Sequence, residues 1–419
     1  MDLNRRKFLS FAPLLGVGMF QNTFSKQQTP YVVSNNIYNV VEDFGADPTN
    51  TNDSTLAVQN AVNVAQSAKG GVVWFPPGKY KITGIISITK AIIFAGVGCN
   101  PGNIQEGSWL YLTEPTGGSY LPHPIWIRGQ SARGTVIQNL GFYYPNQQLV
   151  NGNPKSYGYT IAVESDDVSL QSIHLHNSYN GILLQNLNNG EGSVGRILLD
   201  GITGQPINNG IFIDTAKDSI KINNVHFWPF WSQNPSYINW IFANGIAIKS
   251  KRNDNPHFSN IFALGYKYGM QFTSDASGNE TTHKFRVVNA DMDMCWVGLQ
   301  IEGHNTTGQI ANFTAQGSGA IGESSLIGLA GIRAVSNPNG VRLQGSNVRL
   351  SFYSANAIRA EGNGTKMAFE NLWVEGWNSS GNGFPGVEAV GGAEIKIGFG
   401  DWFEAGNNAP NTGGNVLVD

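Results

Sequence analysis

A short phrase that opens on glycine recurs down this chain. It reads Gly-Ile-Leu-Leu-Gln at Gly181, Gly-Ile-Phe-Ile-Asp at Gly210 and Gly-Ile-Ala-Ile-Lys at Gly245. It returns as Gly-Met-Gln-Phe-Thr at Gly269, Gly-Leu-Gln-Ile-Glu at Gly298 and Gly-Ile-Arg-Ala-Val at Gly331, with weaker copies at Ala357 and Gly386. The starts are 24 to 35 residues apart. A strand-like phrase at variable spacing predicts a solenoid whose coils share one strand geometry and differ in loop length. Equivalent residues then stand in columns, which lets core and surface be assigned from sequence.

A second phrase falls between the copies of the first, as in Leu-Gln-Ser-Ile-His-Leu-His at 170–176 and Phe-Glu-Asn-Leu-Trp-Val-Glu at 369–375. Its third position gives the column Asn139, Ser172, Gly201, Asn224, Asn260, Asn289, Asn312, Ser351, Asn371 and Gly398. Asn and Gly are the residues that accept a single left-handed conformation at a tight turn. Stacked Asn amides can also bond to one another along the column. Each coil therefore reads strand, turn, strand, sharp Asn turn, strand, loop. The prediction is an all-β, right-handed, three-sheet parallel β-helix. The 52 glycines and 13% charged residues agree with that reading. A solenoid grows by adding coils, so 419 residues need not divide into domains. The expected layout is a segment at 1–25, then one domain over 26–419, with a cap at 40–98 and coils over 125–419.

The opening Asn4-Arg5-Arg6-Lys7-Phe8-Leu9-Ser10, followed by a weakly apolar stretch from Phe11 to Phe20, reads as a twin-arginine export signal. It predicts a periplasmic or extracellular protein with no membrane span after processing. Net charge is −3 and no basic stripe shows in the sequence, which argues against nucleic acid as a partner. Cys99 and Cys295 lie too far apart along a solenoid to suggest a disulfide. His174 and His176 point one way but lack a third ligand, so neither a metal nor another cofactor is expected.

Val40–Gly98 carries a resemblance. Its Asp-Phe-Gly-Ala start, Asp-Ser-x-x-Ala-Val-Gln helix and Phe-Pro-Pro-Gly-x-Tyr strand entry are similar to the N-terminal cap of the pectate-lyase-like β-helix superfamily. That group includes tailspike depolymerases, exo-glucanases and polygalacturonase-like enzymes. The resemblance implies the fold and an activity on polysaccharide, as a monomer or a homotrimer. Physically, Asp53 or Ser54 would cap a helix over 55–68, and its apolar face would cover the open end of the solenoid. The calcium-binding Asp set of pectate lyases and the Asn-Thr-Asp, Asp-Asp and Arg-Ile-Lys set of polygalacturonases are both missing.

Alternation places two outward columns on the first sheet, with Asp214, Lys249, Thr273 and Glu302 in one of them. On the third sheet, His226, Asp291 and Asp293 face out beside Trp228. Long loops at 229–244 and 317–330 flank two short turns at 265–268 and 294–297. Two walls around a low floor predict a groove. Its wall would carry Trp228, Trp231, Tyr237 and Trp240, and its floor Tyr266, Tyr268 and Trp296. Aromatic faces beside carboxyls suit a sugar chain. Glycoside hydrolysis needs a carboxyl pair, and Asp293 with Glu302 is the expected one, assisted by Asp291 and flanked by His226. Asp214 with Glu164 is a second pair. The alternative chemistry is β-elimination on a uronic-acid polymer, for which Lys249, Lys251 and Arg252 would supply base and cation. A non-catalytic polysaccharide-binding β-helix is the third reading. Arg333, Arg359, Glu361 and Glu388 are expected as a cross-rung ion-pair ladder.

Overall fold

The computed structural model describes residues 36–113, 122–186, 194–274, 281–335, 339–403 and 411–419. The export motif and the apolar stretch after it lie outside the described residues. Residues 36–419 cluster as one compact unit. Twelve strands, from Ile86–Ile88 to Thr412–Gly414, stack in parallel register to form sheet 1, the sheet of the glycine phrase. A second, larger parallel stack is built of strands such as Ile220–Phe227, His257–Leu264, Phe285–Asp293 and Thr307–Gln316. Each of these bends once in its middle. The arms before the bend form sheet 2 and the arms after it form sheet 3, which completes a three-sheet parallel β-helix.

The bend is the predicted Asn column. Asn139, Asn224, Asn260, Asn289, Asn312, Asn347 and Asn371 all have φ between 51° and 60°. Their amides form a ladder: Asn289 donates to Asn260 at 3.3 Å, Asn312 to Asn289 at 2.9 Å, Asn347 to Asn312 at 3.1 Å and Asn371 to Asn347 at 2.9 Å. The member between Asn312 and Asn371 is Asn347, not Ser351. Val348 pairs with Phe313, and Ser351 lies three residues further along, opposite Gln316. Arg349 and Ser351 therefore take the outward places on sheet 3, and Tyr353 is buried inside the coil.

The core is a continuous column of Ile, Val, Leu and Phe from all three sheets. Helix α1 (Thr55–Ser67) packs against the first strands, Ile37–Asn39, Val72–Phe75 and Ile86–Ile88. It buries Val58, Ala61, Val62 and Ala65, the spacing of one helical face. Its start is held by Asp53, whose carboxylate accepts from the Thr55 amide at 3.0 Å, while Ser54 is turned back to accept from the Asp47 amide. Sheet edges that would otherwise be open at this end are thereby covered.

One coil is out of its predicted register. Helix α2 (Pro235–Asn244) occupies the long loop, and Gly245 caps it, donating to the Ile241 carbonyl at 2.6 Å. That glycine is spent on the helix end, so the strand starts two residues later. Ala247 takes the buried glycine slot, Lys249 lines up with Phe212 and Gln271, and Lys251 follows beside Asp214. If the Asn corner carries the coil, Asn312→Gly will keep the backbone conformation and lose two amide bonds. Asn312→Ala will add the cost of a left-handed Cβ residue, for a total loss of roughly 1–3 kcal/mol. Urea unfolding midpoints ordered wild type, then Gly, then Ala are expected; an Ala variant as stable as wild type would contradict this account.

Candidate functional site

The predicted groove between the two long loops is closed. Gly317–Ala330 forms a hairpin, with Ser318–Ile321 antiparallel to Ser324–Ile327, and it leans onto α2. Ile238 of α2, Leu264 of sheet 3 and Ile321 and Leu326 of the hairpin make a small apolar cluster above the short turns. Gly265 lies directly beneath Ile321. Two walls with apolar inner faces meet because an open gap would leave those faces in water. Several expected groove residues are structural as a result. Tyr266 is inside the coil and donates to the Pro206 carbonyl at 2.7 Å. Tyr237 is buried edge-on against Trp231, their centroids 4.4 Å apart.

The remaining candidates fall into two groups on two different sheets. Asp291 and Asp293 face out on sheet 3, each half-buried, between Phe262 and Leu264 on one rung and Thr314 and Gln316 on the next. His226 stacks on Phe262 at 4.7 Å, and Trp228 stands 6.2 Å from the same ring, giving an aromatic stripe that ends at the two carboxyls. Burial raises both carboxyl pKa values, and Asp293 raises that of Asp291 further by charge repulsion. Glu302 is not in this group. It follows Val297–Ile301 on sheet 1, beyond the corner and a whole strand that alone spans roughly 16 Å at about 3.3 Å per residue. The structure does not bring Asp293 and Glu302 together.

Glu302 belongs to the second group, on the outer face of sheet 1. Both of its oxygens are held: Gln271 donates to Oε2 and Gln300 to Oε1, each at 3.0 Å. The other oxygens of those two amides, Gln271 Oε1 and Gln300 Oε1, are buried with no protein partner. Two rungs toward the N-terminus, Lys249 lies half-buried over the Phe212 ring, its Nζ 5.9 Å from the centroid, with Lys251 Nζ at 5.4 Å. Burial holds the Lys249 amine below the usual lysine range. Lys251 pushes it the same way, and Glu302 and Asp214 oppose in part. Lys251 pairs with the buried Asp214 at 3.8 Å. Tyr268 lies at the end of the same floor, 6.0 Å from Trp296; burial raises its hydroxyl pKa, Glu302 adding to the shift and Arg333 opposing it.

Aromatic side chains border this floor. Tyr159 stacks on Phe212 at 6.0 Å, and Tyr179 lies 6.1 Å from Trp240, whose indole donates to Asn153. Glu164 is buried and accepts from the Trp126 indole, two rungs from Asp214. Arg252 stands at the turn beyond Lys251, beside Asp218, Asp254 and His283 and off the floor. Arg359 pairs with Glu361 at 3.5 Å and with Glu388, and Arg333 reaches Glu361 at 4.0 Å, the expected ladder. Among the described residues, no group of three His, Cys, Asp or Glu is placed to hold a metal. Alternation along the strands puts Gln271 and Gln300 outward but assigns them no role. Gln300 two residues before Glu302, and Gln271 one rung before Gln300, were the signal available.

A carboxyl whose pKa is raised above the ordinary 3.8 favours its protonated form in the folded state. The folded protein then loses stability as pH rises through the shifted value, and the penalty is absent below about 3.8, where folded and unfolded forms are both protonated. Asp291→Asn should therefore raise the melting midpoint at neutral pH, with a gain that shrinks as pH falls toward that value. A lower midpoint at neutral pH would contradict the desolvation assigned here.

Comparison with known proteins agrees with the β-helix fold. A mannuronan C5-epimerase, AlgE6 of Azotobacter vinelandii, is 35% identical over 85 residues, 18% of this chain and 10% of that protein. The chain thus spans about a tenth of the length of that curated relative. Among solved structures, the N-terminal fragment of bacteriophage Phi29 gene product 12 superposes with TM-score 0.59 at 12% identity, over 91% of this chain and 70% of that one. The catalytic domain of a GH87 alpha-1,3-glucanase gives TM-score 0.58 at 12% identity, over 88% of this chain and 64% of that one. At such identities these two show the fold alone. Residues 37–271, more than half of the chain, match the family described as rhamnogalacturonase A/epimerase, pectate lyase-like, and the chain belongs to that family.

Proposed function

We propose that this protein acts on a uronic-acid-containing polysaccharide at the outer face of sheet 1, by removing the proton beside the sugar carboxylate. The observation that carries the reading is Lys249: an amine held below its ordinary pKa by burial, next to a second cation, on a floor bordered by aromatic rings. A neutral amine is a competent base, and a cation beside the substrate carboxylate makes the neighbouring C–H more acidic. Lys251, whose Nζ lies over the same Phe212 ring, would meet that carboxylate. Lys249 takes the C5 proton, the electron pair forms the C4–C5 double bond, and the C4–O bond breaks. The leaving oxygen takes a proton from Tyr268, whose raised pKa keeps the hydroxyl protonated. Glu302, fixed by Gln271 and Gln300, offsets part of the charge repulsion at Lys249. Return of a proton to C5 from the opposite side would give epimerisation from the same first step. The family description and the short match to a mannuronan epimerase support a uronate substrate. The Arg5-Arg6 start supports action outside the cytoplasm.

Hydrolysis is the second reading, and it rests on sheet 3. Asp291 and Asp293 are two residues apart on one strand, roughly 6.6 Å, near the lower edge of the roughly 6.5–9.5 Å separation of inverting glycosidases. Both carry raised pKa values beside an aromatic stripe.

Purified protein offered alginate, polygalacturonate and neutral glucans separates the two. The first reading predicts new reducing ends together with ultraviolet absorbance of an unsaturated product, on polyuronates alone. Lys249→Met should lower that turnover by about 10²–10⁴-fold, the usual contribution of a general base. Because the base works as the neutral amine, kcat/KM should rise with pH and level off below the ordinary lysine value of 10.5. Reducing ends from a neutral glucan without absorbance, unaffected by Lys249→Met and lost in Asp293→Asn, would overturn it in favour of hydrolysis.

A further inference from the structure

The sequence shows no run of basic residues, but coil stacking assembles one. Successive strands of sheet 2 bring Lys284, Arg286, Arg342, Lys366 and Lys396 to one open trough of about 610 Å³. Lys284, Thr307, Arg342, Lys366 and Glu394 occupy one column, and Arg286, Gln309, Gln344, Ala368 and Lys396 the next. All five cationic side chains are exposed. Glu394 is the single carboxylate among the lining residues, and it meets both Lys366 and Lys396 only at 4.0 Å. Lys284 also reaches Asp254 at 2.9 Å. The floor is an amide ladder, Gln309 donating to Gln344 at 2.9 Å. A second hollow continues the trough past Val288, Ala311 and Ser346.

We infer that this trough is a second docking site for an acidic polysaccharide, separate from the reacting site on sheet 1. Three features select that occupant. The cations come from four of five successive rungs, which are roughly 4.8 Å apart, a distance comparable to one sugar residue of an extended chain. Their excess on one face of a chain of net charge −3 attracts a polyanion. The outward lining side chains include no aromatic ring, so bases of a single-stranded nucleic acid have nothing to stack on, and neither has a neutral sugar. Amide and guanidinium donors match carboxylate oxygens instead. A polymer held here stays near the sheet 1 floor at high effective concentration.

The proposal does not need the elimination chemistry, and its test is separable from it. Intact protein is titrated with short oligouronates and with long alginate, at low and high salt. Wild type should bind two oligouronates per chain. Arg342→Glu with Lys366→Glu should leave one, weaken binding of long alginate about tenfold or more, flatten its salt dependence, and leave turnover of short oligouronates unchanged. The milder Arg342→Gln with Lys366→Gln should lie between, and an unchanged melting midpoint certifies the fold. Lys249→Met should keep the trough site intact. Unchanged alginate binding in the charge-reversed variant would overturn the proposal. Tighter binding of single-stranded DNA than of alginate at equal salt would also overturn it, because the trough would then select a different polyanion.

Discussion

Everything in this molecule hangs on one backbone conformation repeated at one corner. A residue with φ near 55° between two β arms turns the chain sharply enough to separate sheet 2 from sheet 3 without a loop. Asn accepts that conformation more readily than most residues, and it also carries an amide that bonds to the next coil. The corner therefore fixes the angle and the rung register together. Once it is fixed, residues two and four beyond each Asn face outward on sheet 3, and the coil returns to present sheet 1. The positions of Asp291, Asp293, Lys249 and Glu302 all follow from it.

The fold was legible because the corner writes itself into the sequence as a column. Where the reading slipped, local chemistry had taken the marker residue for another use. Gly245 matches the strand phrase but ends α2, so Lys249 moved one column from its expected place. Ser351 stood in for Asn347 because the strand Arg342–Ser351 reaches further past its corner than the phrase suggested. Neither slip shows in alternation alone, since a shift of an even number of residues keeps the same faces in and out.

The site was only half legible, for a different reason. Columns place residues on faces, but they do not say how loops fold over those faces. The sequence reading treated the loops at 229–244 and 317–330 as two walls, whereas Ile238, Ile321 and Leu326 draw them together into a cover. That closure moves attention from the corner to the open face of sheet 1. There, the pairing of Asp293 with Glu302 gives way to a floor in which Glu302 is tied by two glutamines and Lys249 stands over Phe212. The trough on sheet 2 was invisible for the same geometric reason: its five cations come from four coils and meet only when the coils stack.

The central claim is that Lys249 removes the proton beside a uronate carboxylate, and exchange of that proton reports on it whether or not the chain is cut. Polyuronate treated in deuterated water and analysed by mass spectrometry should gain deuterium at C5 or yield unsaturated ends with wild-type protein. It should do neither with Lys249→Met, while binding persists. Deuterium gain that survives in Lys249→Met would place the base elsewhere. No exchange and no unsaturated product on any polyuronate, with clean hydrolysis of another glycan, would contradict the account.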